Sequence, residues 1–316
     1  MEVNKIHNIN FLDNTLPDKC ANLIIADPPY FEVKGAFDFI WADMKAYLLD
    51  VEKWAIECKR LLADNGTLFW YGHAKNIAYA QVIFDKHFNL INNLVWNKGS
   101  FMGLEESEGL RSFAPCTERI LMYSVGDDYH DNVRLSIKYI QDYLMSITTR
   151  NELAEILLKT GNCRNAESAK QNANNILSQK SAKPQMITNE QYNLLPNPNK
   201  KPYDELRKEY EELRRPFNNK FNLQEVLNFS NEQGTTGAKY DHDTVKPETL
   251  TRALILTCSR ENDLVVVPFA GSGTECAMAV KEGRKTIGFE ITEKHAKISN
   301  DRVQNILCQP SLFVGS

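Results

Sequence analysis

The sequence predicts an open, doubly wound α/β sheet carrying a mainly helical insert. Three observations support this. Strand and helix signals alternate through residues 1–125. A β-loop-α-β unit with two glycines in its first turn lies near the other end. Between them, residues 127–232 are rich in Asn, Gln, Lys and Glu and lack strand-like runs. Alternation of this kind builds a sheet covered by helices, and a long stretch without it reads as an insertion. At 316 residues the chain can bury the core of one large α/β domain plus an insert, or of two domains.

The first half begins with the apolar run Ala21-Asn22-Leu23-Ile24-Ile25-Ala26, a short buried strand that ends in Asp27-Pro28-Pro29-Tyr30. Asp27 offers acceptors at a strand's C-terminal edge, where open α/β sheets bind ligands. The two prolines stiffen the loop, and Tyr30 supplies a flat face. Together these suit holding a planar group by its amine while that amine is attacked. Taken alone, Asp-Pro-Pro also serves as an ordinary turn after a strand. Residues 31–39 read as a flap beside this loop, with Lys34 within reach of a phosphate. Residues 46–62 place Leu48, Leu49, Val51, Trp54, Ala55, Cys58 and Leu61 near one helical face. A strand over 66–71, a helix over 76–84, and strands over 90–96 and 118–123 complete the half.

In the insert, residues 149–160 read as a helix, 161–163 as a turn and 164–179 as a second helix. The second helix carries Arg164, Asn165, Lys170, Gln171, Asn172, Asn174 and Asn175. It fits either a groove-reading helix, since Asn and Gln pair with adenine edges and Arg with guanine edges, or a solvated face of a plain bundle. Residues 184–202 are proline-rich and read as a loop, 203–215 as a charged helix stopped by Pro216, and 220–229 as short and amphipathic.

The last part opens its β-loop-α-β unit with Leu264-Val265-Val266-Val267, followed by Pro268-Phe269-Ala270-Gly271-Ser272-Gly273-Thr274. A helix runs to Gly283, and a further strand, 285–289, ends at Glu290. Glycines in the first turn let a ligand approach the backbone closely. An acidic residue about 20 positions on can bind ribose hydroxyls. A dinucleotide would want a third glycine, and the lysine-bearing phosphate loop of nucleotide triphosphatases is missing.

Together the two motifs resemble those of amino-group DNA methyltransferases that use S-adenosyl-L-methionine, over residues of about 1–125 and 240–307. Asp27-Pro28-Pro29-Tyr30 precedes the Phe269-Ala270-Gly271-Ser272-Gly273 loop, which is similar to the β arrangement of that family; RNA amine methyltransferases generally run the other way. The resemblance implies a Rossmann-like methyltransferase sheet: a catalytic half over 1–126, a helical target-recognition insert over 127–232 and a cofactor-binding half over 233–316. It implies that Asp27 accepts a hydrogen bond from the target amine, that the Pro28 carbonyl does the same, and that Tyr30, held with Pro29 in the catalytic motif, stacks on the extruded base. His242, Thr244 and Lys246, with Asp27, would bind the methionine end of the cofactor. Pro268, Phe269, Ala270, Gly271, Ser272, Gly273 and Thr274 would line it, and Glu290 would hold its ribose. Lys34, Arg164, Asn165, Lys170 and Asn172 are the expected DNA contacts. Asp at position 27 favours adenine N6 as the target.

Two departures from the family pattern stand out: Val267 where many relatives have Asp, and Asn10 where relatives often have Asp near the cofactor adenine. They motivate one alternative, a catalytically weak DNA-binding subunit that needs a partner. The other alternative is methylation of cytosine N4 or of RNA. The implied partners are double-stranded DNA, a second copy in a homodimer and a cognate restriction enzyme.

The net charge of −4 excludes a general nucleic-acid binder, but residues 131–220 hold 15 Lys/Arg against 11 Asp/Glu. A moderately basic insert on an acidic core is a reasonable DNA footprint. The seven cysteines are scattered without metal-ligand spacing, so no metal is expected and reduced thiols are. Pro115-Cys116 resembles the nucleophile dipeptide of cytosine C5 methyltransferases, but that chemistry does not use Asp-Pro-Pro-Tyr. No signal peptide and no apolar run of about 18 residues is found, so a cytoplasmic, bacterial or phage-encoded, nucleoid-associated protein is expected, without a membrane span.

Overall fold

The computed structural model describes residues 1–33, 38–99, 113, 115–125, 131–178, 181, 185–230 and 245–308. The chain forms two compact units, residues 1–127 with 216–316, and residues 128–215.

The first unit begins with β1 (Lys5–His7), a 3-10 turn (Phe11–Asp13), β2 (Ala21–Ala26), α1 (Met44–Leu61), β3 (Leu62–Gly72), α2 (Ile77–Phe84), β4 (Asn89–Asn97) and β5 (Thr117–Ser124). The second unit follows with α3 (Asp131–Ile147), α4 (Arg150–Lys159), α5 (Ala166–Leu177), α6 (Asn189–Asn193) and α7 (Tyr203–Leu213). The chain returns to the first unit with β6 (Val226–Asn228), α8 (Glu248–Cys258), β7 (Leu264–Val267), α9 (Thr274–Lys281), β8 (Lys285–Phe289) and α10 (Glu293–Leu307).

Among the described residues one eight-stranded sheet is present, in the order β1-β8-β7-β2-β3-β5-β4-β6. The first five of these strands are parallel, β5 runs antiparallel to both its neighbours, and β6 is parallel to β4. The chain leaves β2 toward β3 and β7 toward β8, in opposite directions. The switch point of this sheet therefore lies between β2 and β7, paired through Leu23↔Val265 and Ile24↔Val266.

Both faces of the sheet are buried, which is why its strands are continuously apolar. Alternate residues of one strand serve opposite layers. Ile24, Ala26, Leu68 and Trp70 pack with Val51, Trp54 and Ala55 of α1 and with Phe84 of α2. Leu23, Ile25, Phe69 and Tyr71 pack with Leu250 and Leu254 of α8, Ala277 of α9 and Val303 of α10. Each fully buried large side chain of this kind contributes ~1.5–3 kcal/mol relative to exposure.

The second unit has its own apolar core, from Ile140 and Leu144 of α3 to Leu206 of α7. Capping boxes start α4 at Thr149/Glu152, α5 at Asn165/Ser168 and α6 at Thr188/Gln191.

Three features differ from the sequence reading. Residues 216–230 belong with the first unit, because β6 pairs with β4 through Val95↔Val226 and Trp96↔Leu227. A three-residue strand has too few positions to show a period. The proline-rich stretch holds α6, one capped turn with Tyr192 in the core. Residues 31–33 are not a free flap: Phe31 is buried and stacked on Tyr47 with centroids 5.6 Å apart. Lys34, His242 and Thr244 lie outside the described residues.

Candidate active site

Parallel strands bring their C-terminal ends to one edge, and the site is built there. Asp27 follows β2, Pro268 follows β7, Glu290 follows β8, His73 follows β3 and Lys98 follows β4. The reversed direction of β5 places Glu118, its second residue, at that same edge, opposite Trp96. A cavity of about 700 Å³ opens at the switch point. Asp27, Pro28, Pro29, Tyr30, Lys246, Pro268, Phe269, Ala270, Gly271, Ser272 and Glu290 all line it. The two motifs, some 240 residues apart in sequence, thus share one wall because β2 and β7 are neighbours.

The Asp27 loop is tied down from several sides. The Tyr30 amide donates to Asp38 Oδ1 at 2.6 Å, the Asn76 amide to the carbonyls of Tyr30 and Phe31, and the Tyr47 hydroxyl to the Pro29 carbonyl at 3.2 Å. Phe31 and Glu32 adopt left-handed backbone, with φ of 54° and 51°. Such conformations in non-glycine residues cost on the order of 1–3 kcal/mol each and persist where surroundings over-determine them.

The charges form a buried cluster. Lys246, 6% exposed, places Nζ 2.6 Å from Asp27 Oδ2 and 3.5 Å from Glu118 Oε2. Lys98 Nζ lies 2.5 Å from Glu118 Oε1. The Tyr30 hydroxyl donates to Asp27 Oδ1. Burial works against the Lys246 ammonium, but the Asp27 and Glu118 charges outweigh it and hold it well above the ordinary lysine range. Burial would raise the Glu118 carboxyl; Lys246 and Lys98 reverse that and hold it below its usual value. Burial, then the Asp27 charge, raise the Tyr30 phenol far above its ordinary value, so it stays a donor. Burial lowers His73.

The glycine loop is held from behind. Gly271 has φ of 48° and Gly273 of 76°, and a Cβ at Gly273 would meet Ser299 Cβ at 2.7 Å. Ser299 Oγ donates to the Gly271 carbonyl at 2.6 Å. Buried Arg302 of α10 donates to the Ser272 carbonyl, to Thr274 Oγ1 and to Glu248 Oε1 of α8. Gly273 and Thr274 therefore shape the loop without lining the cavity. Glu290 accepts from the Gly271 amide at 2.9 Å and the Thr292 amide at 2.8 Å, so its carboxylate is fixed beside the loop. Phe11 stands between Phe269 and Phe289, with centroids 6.1 and 5.5 Å away, and makes this end of the cavity aromatic.

The two departures have local accounts. Val267 is 1% exposed and packs in the apolar layer under α8 and α9, where a carboxylate would be desolvated. Asn10 lines the cavity, and its Oδ1 caps the 3-10 turn by accepting from the Leu12 amide at 2.9 Å.

In the second unit, Arg164 and Lys170 are exposed. Asn165 is exposed as well, but its side-chain oxygen is committed to the cap of α5. Asn172 bonds Cys163 Sγ at 3.3 Å. Asn165 and Lys170 line a shallow polar hollow with Arg150, Gln171 and Asn174; Asn175 is buried and receives the Ser181 hydroxyl. Sequence reasoning missed Glu118, Lys98, His73 and Glu275. A charged residue heading the apolar run 118–123, and another inside the apolar helix 274–281, were the available signals. Among the described residues no cluster of His, Cys, Asp and Glu could hold a metal ion, and no helix is long and apolar enough to cross a membrane.

The family model described as DNA methylase matches residues 21–301. DNA adenine methyltransferase YhdJ of Escherichia coli is 24% identical over 289 residues, 91% of this chain and 78% of that protein. A shorter match, 33% identical over 104 residues, spans 33% of this chain and 39% of the orphan methyltransferase M.BamHII of Bacillus amyloliquefaciens. Among solved structures, the DNA modification methylase TTHA0409 of Thermus thermophilus superposes with a TM-score of 0.54 at 17% identity, covering 97% of each chain. The cytosine-N4-specific PvuII DNA methyltransferase superposes with a TM-score of 0.52 at 14% identity, covering 96% of this chain and 92% of that one.

Proposed function

The chain belongs to the DNA methylase family, and from that premise we propose that it methylates the exocyclic N6 amine of an adenine flipped out of double-stranded DNA, within a short specific sequence. Its methyl donor is S-adenosyl-L-methionine. The observation that carries the reading is the shared cavity: Asp27 and Tyr30 end β2, the glycine loop ends adjacent β7, and both face one space.

The residues present fit the cofactor. The fixed Glu290 carboxylate offers acceptors for two ribose hydroxyls, the Phe11, Phe269 and Phe289 rings offer an apolar slot for a purine, and Lys246 offers a cation at the Asp27 end for a carboxylate. When bound, the cofactor supplies an electrophilic methyl group on a sulfonium sulfur. An aromatic amine is a poor nucleophile because its lone pair is delocalised. Hydrogen bonds from its N–H groups to Asp27 and to the Pro28 carbonyl favour a pyramidal nitrogen and aim the lone pair. Asp27 keeps capacity for this, since a carboxylate has about four acceptor sites and two are used, by Tyr30 and Lys246. Extrusion of the base costs a few kcal/mol, offset in part by stacking on Tyr30. Asp at position 27 and the likeness to an adenine methyltransferase over most of the chain support adenine over cytosine. In the second unit, Arg150, Arg164, Lys170, Gln171 and Asn174 are the groups assigned to DNA.

The test is turnover of the purified chain with labelled cofactor and genomic DNA, followed by mass spectrometry of the nucleosides. N6-methyladenine is expected. N4-methylcytosine would move the target, and no methyl transfer would leave a DNA-binding subunit. Asp27→Ala is expected to lose turnover while keeping cofactor binding.

A further inference from the structure

The cavity holds a buried carboxyl that the mechanism above leaves unused. Glu275 lies in the first turn of α9, directly after the glycine loop, and is 5% exposed. It lines the same cavity as Asp27, Tyr30 and Lys246. Its Oε1 has no hydrogen-bond partner among the described residues. Asp27 faces it from the end of β2, Lys246 from the segment before α8, Arg302 from α10 and the Tyr71 hydroxyl, also unpartnered, from β3. Burial first, and the Asp27 charge second, push its carboxyl up to about 7, against the pull of its own amide, Lys246 and Arg302.

Methyl transfer to an aromatic amine leaves the nitrogen with a proton it must lose. Asp27 is already engaged at both oxygens, by the Tyr30 hydroxyl and the Lys246 ammonium. We infer that Glu275 accepts the proton lost by the target amine. This rests on the reading of the site as an amine methyltransferase. In the balanced step, the nitrogen lone pair forms the new C–N bond and the C–S pair remains on sulfur as a neutral thioether. The N–H pair returns to nitrogen, and the proton passes to Glu275 Oε1. One sulfonium charge disappears and one carboxylate is neutralised, so net charge is unchanged. A base that titrates near the working pH is suited to this task.

The test uses the full chain, duplex DNA and tritiated cofactor under single-turnover conditions from pH 5.5 to 8.5. It compares the parent with Glu275→Gln and Glu275→Asp. The parent rate is expected to rise with pH and level above about 7. Glu275→Gln should be slower at the plateau by about 100-fold and lose the inflection, while Glu275→Asp keeps an inflection. Calorimetric affinity for S-adenosylhomocysteine should change less than about threefold. In carbon-13 spectra of glutamate-labelled protein, one carboxyl titrating near 7 should be missing from Glu275→Gln. An unchanged rate and pH profile in Glu275→Gln would overturn the inference. So would cofactor affinity weakened more than about tenfold with an unchanged rate at saturating cofactor, which would make Glu275 a ligand of the cofactor's ammonium group. If the parent transfers no methyl group to any nucleic acid, it is the methyltransferase reading that fails first.

Discussion

Replacing Lys246 by Met tests the charge cluster directly. Methionine keeps the bulk of the stem and removes the ammonium. At an effective dielectric constant of 20, a pair at 2.6 Å is worth about 6 kcal/mol and one at 3.5 Å about 5 kcal/mol. These are gross attractions that must offset desolvation of all three groups. Glu118 also keeps Lys98 at 2.5 Å. Removing one partner of a buried pair typically costs 3–5 kcal/mol, because a charge is left behind uncompensated. The expected loss is therefore ~3–5 kcal/mol at pH 8, a large part of a typical stability of roughly 5–15 kcal/mol. The pH dependence has a definite sign. Without the ammonium, burial raises the folded-state pKa of the orphaned carboxyls. Their penalty is complete above that raised value and absent below the unfolded one, so the deficit shrinks as pH falls from 8 to 5. Urea denaturation followed by tryptophan fluorescence measures this. All four tryptophans, at 41, 54, 70 and 96, belong to the first unit and report on it. A loss below about 1 kcal/mol at pH 8, or the same loss at both pH values, would refute the reasoning.

Gly273→Ala forces a β-carbon onto Ser299 in a left-handed backbone; a loss of at least 1–2 kcal/mol, by denaturant titration, and weaker S-adenosylhomocysteine binding are expected. Glu290→Gln keeps the shape but loses acceptor strength, so cofactor affinity should fall about tenfold by calorimetry with the fold intact. Glu275→Gln should be more stable than the parent at pH 8 and not at pH 4.5. The rise of this carboxyl from 4.5 to about 7 is a penalty of ~3 kcal/mol that is absent below pH 4.5 and complete above about 7. Equal stability differences at the two pH values, in urea titrations, would contradict the buried, unpaired state of Glu275.

Much of the first unit was legible in the sequence, because buried strands and amphipathic helices have periods. The runs at 21–26 and 264–267, and the helix with Trp54 on its inner face, needed only their own residues to be recognised. The strand Val226–Asn228 was not legible, since it exists through pairing with β4 rather than through any pattern of its own. The caps are intermediate. Thr149 and Glu152 spell a capping box, whereas Asn165 serves equally as cap or as base reader until its oxygen is seen bound to the Ser168 amide. Proximity of Glu118 and Glu275 to Asp27 has no local signature at all.

By itself the sequence determined the chemistry available at two strand ends: a stiff acidic aromatic loop at 27–30 and a glycine turn at 271–273 answered by Glu290. These are short-range properties of φ angles, side-chain type and spacing, and they survive without knowledge of the fold. Tertiary structure decided that the two ends meet. It did so by pairing β2 with β7 at the switch point, and by reversing β5 so that Glu118 reaches the same edge. It also decided that Lys246 serves Asp27 as a buried counter-ion and that Glu275 has no partner. Those facts depend on which elements exclude water together, and burial is a property of the assembled sheet and its two helical layers rather than of any segment.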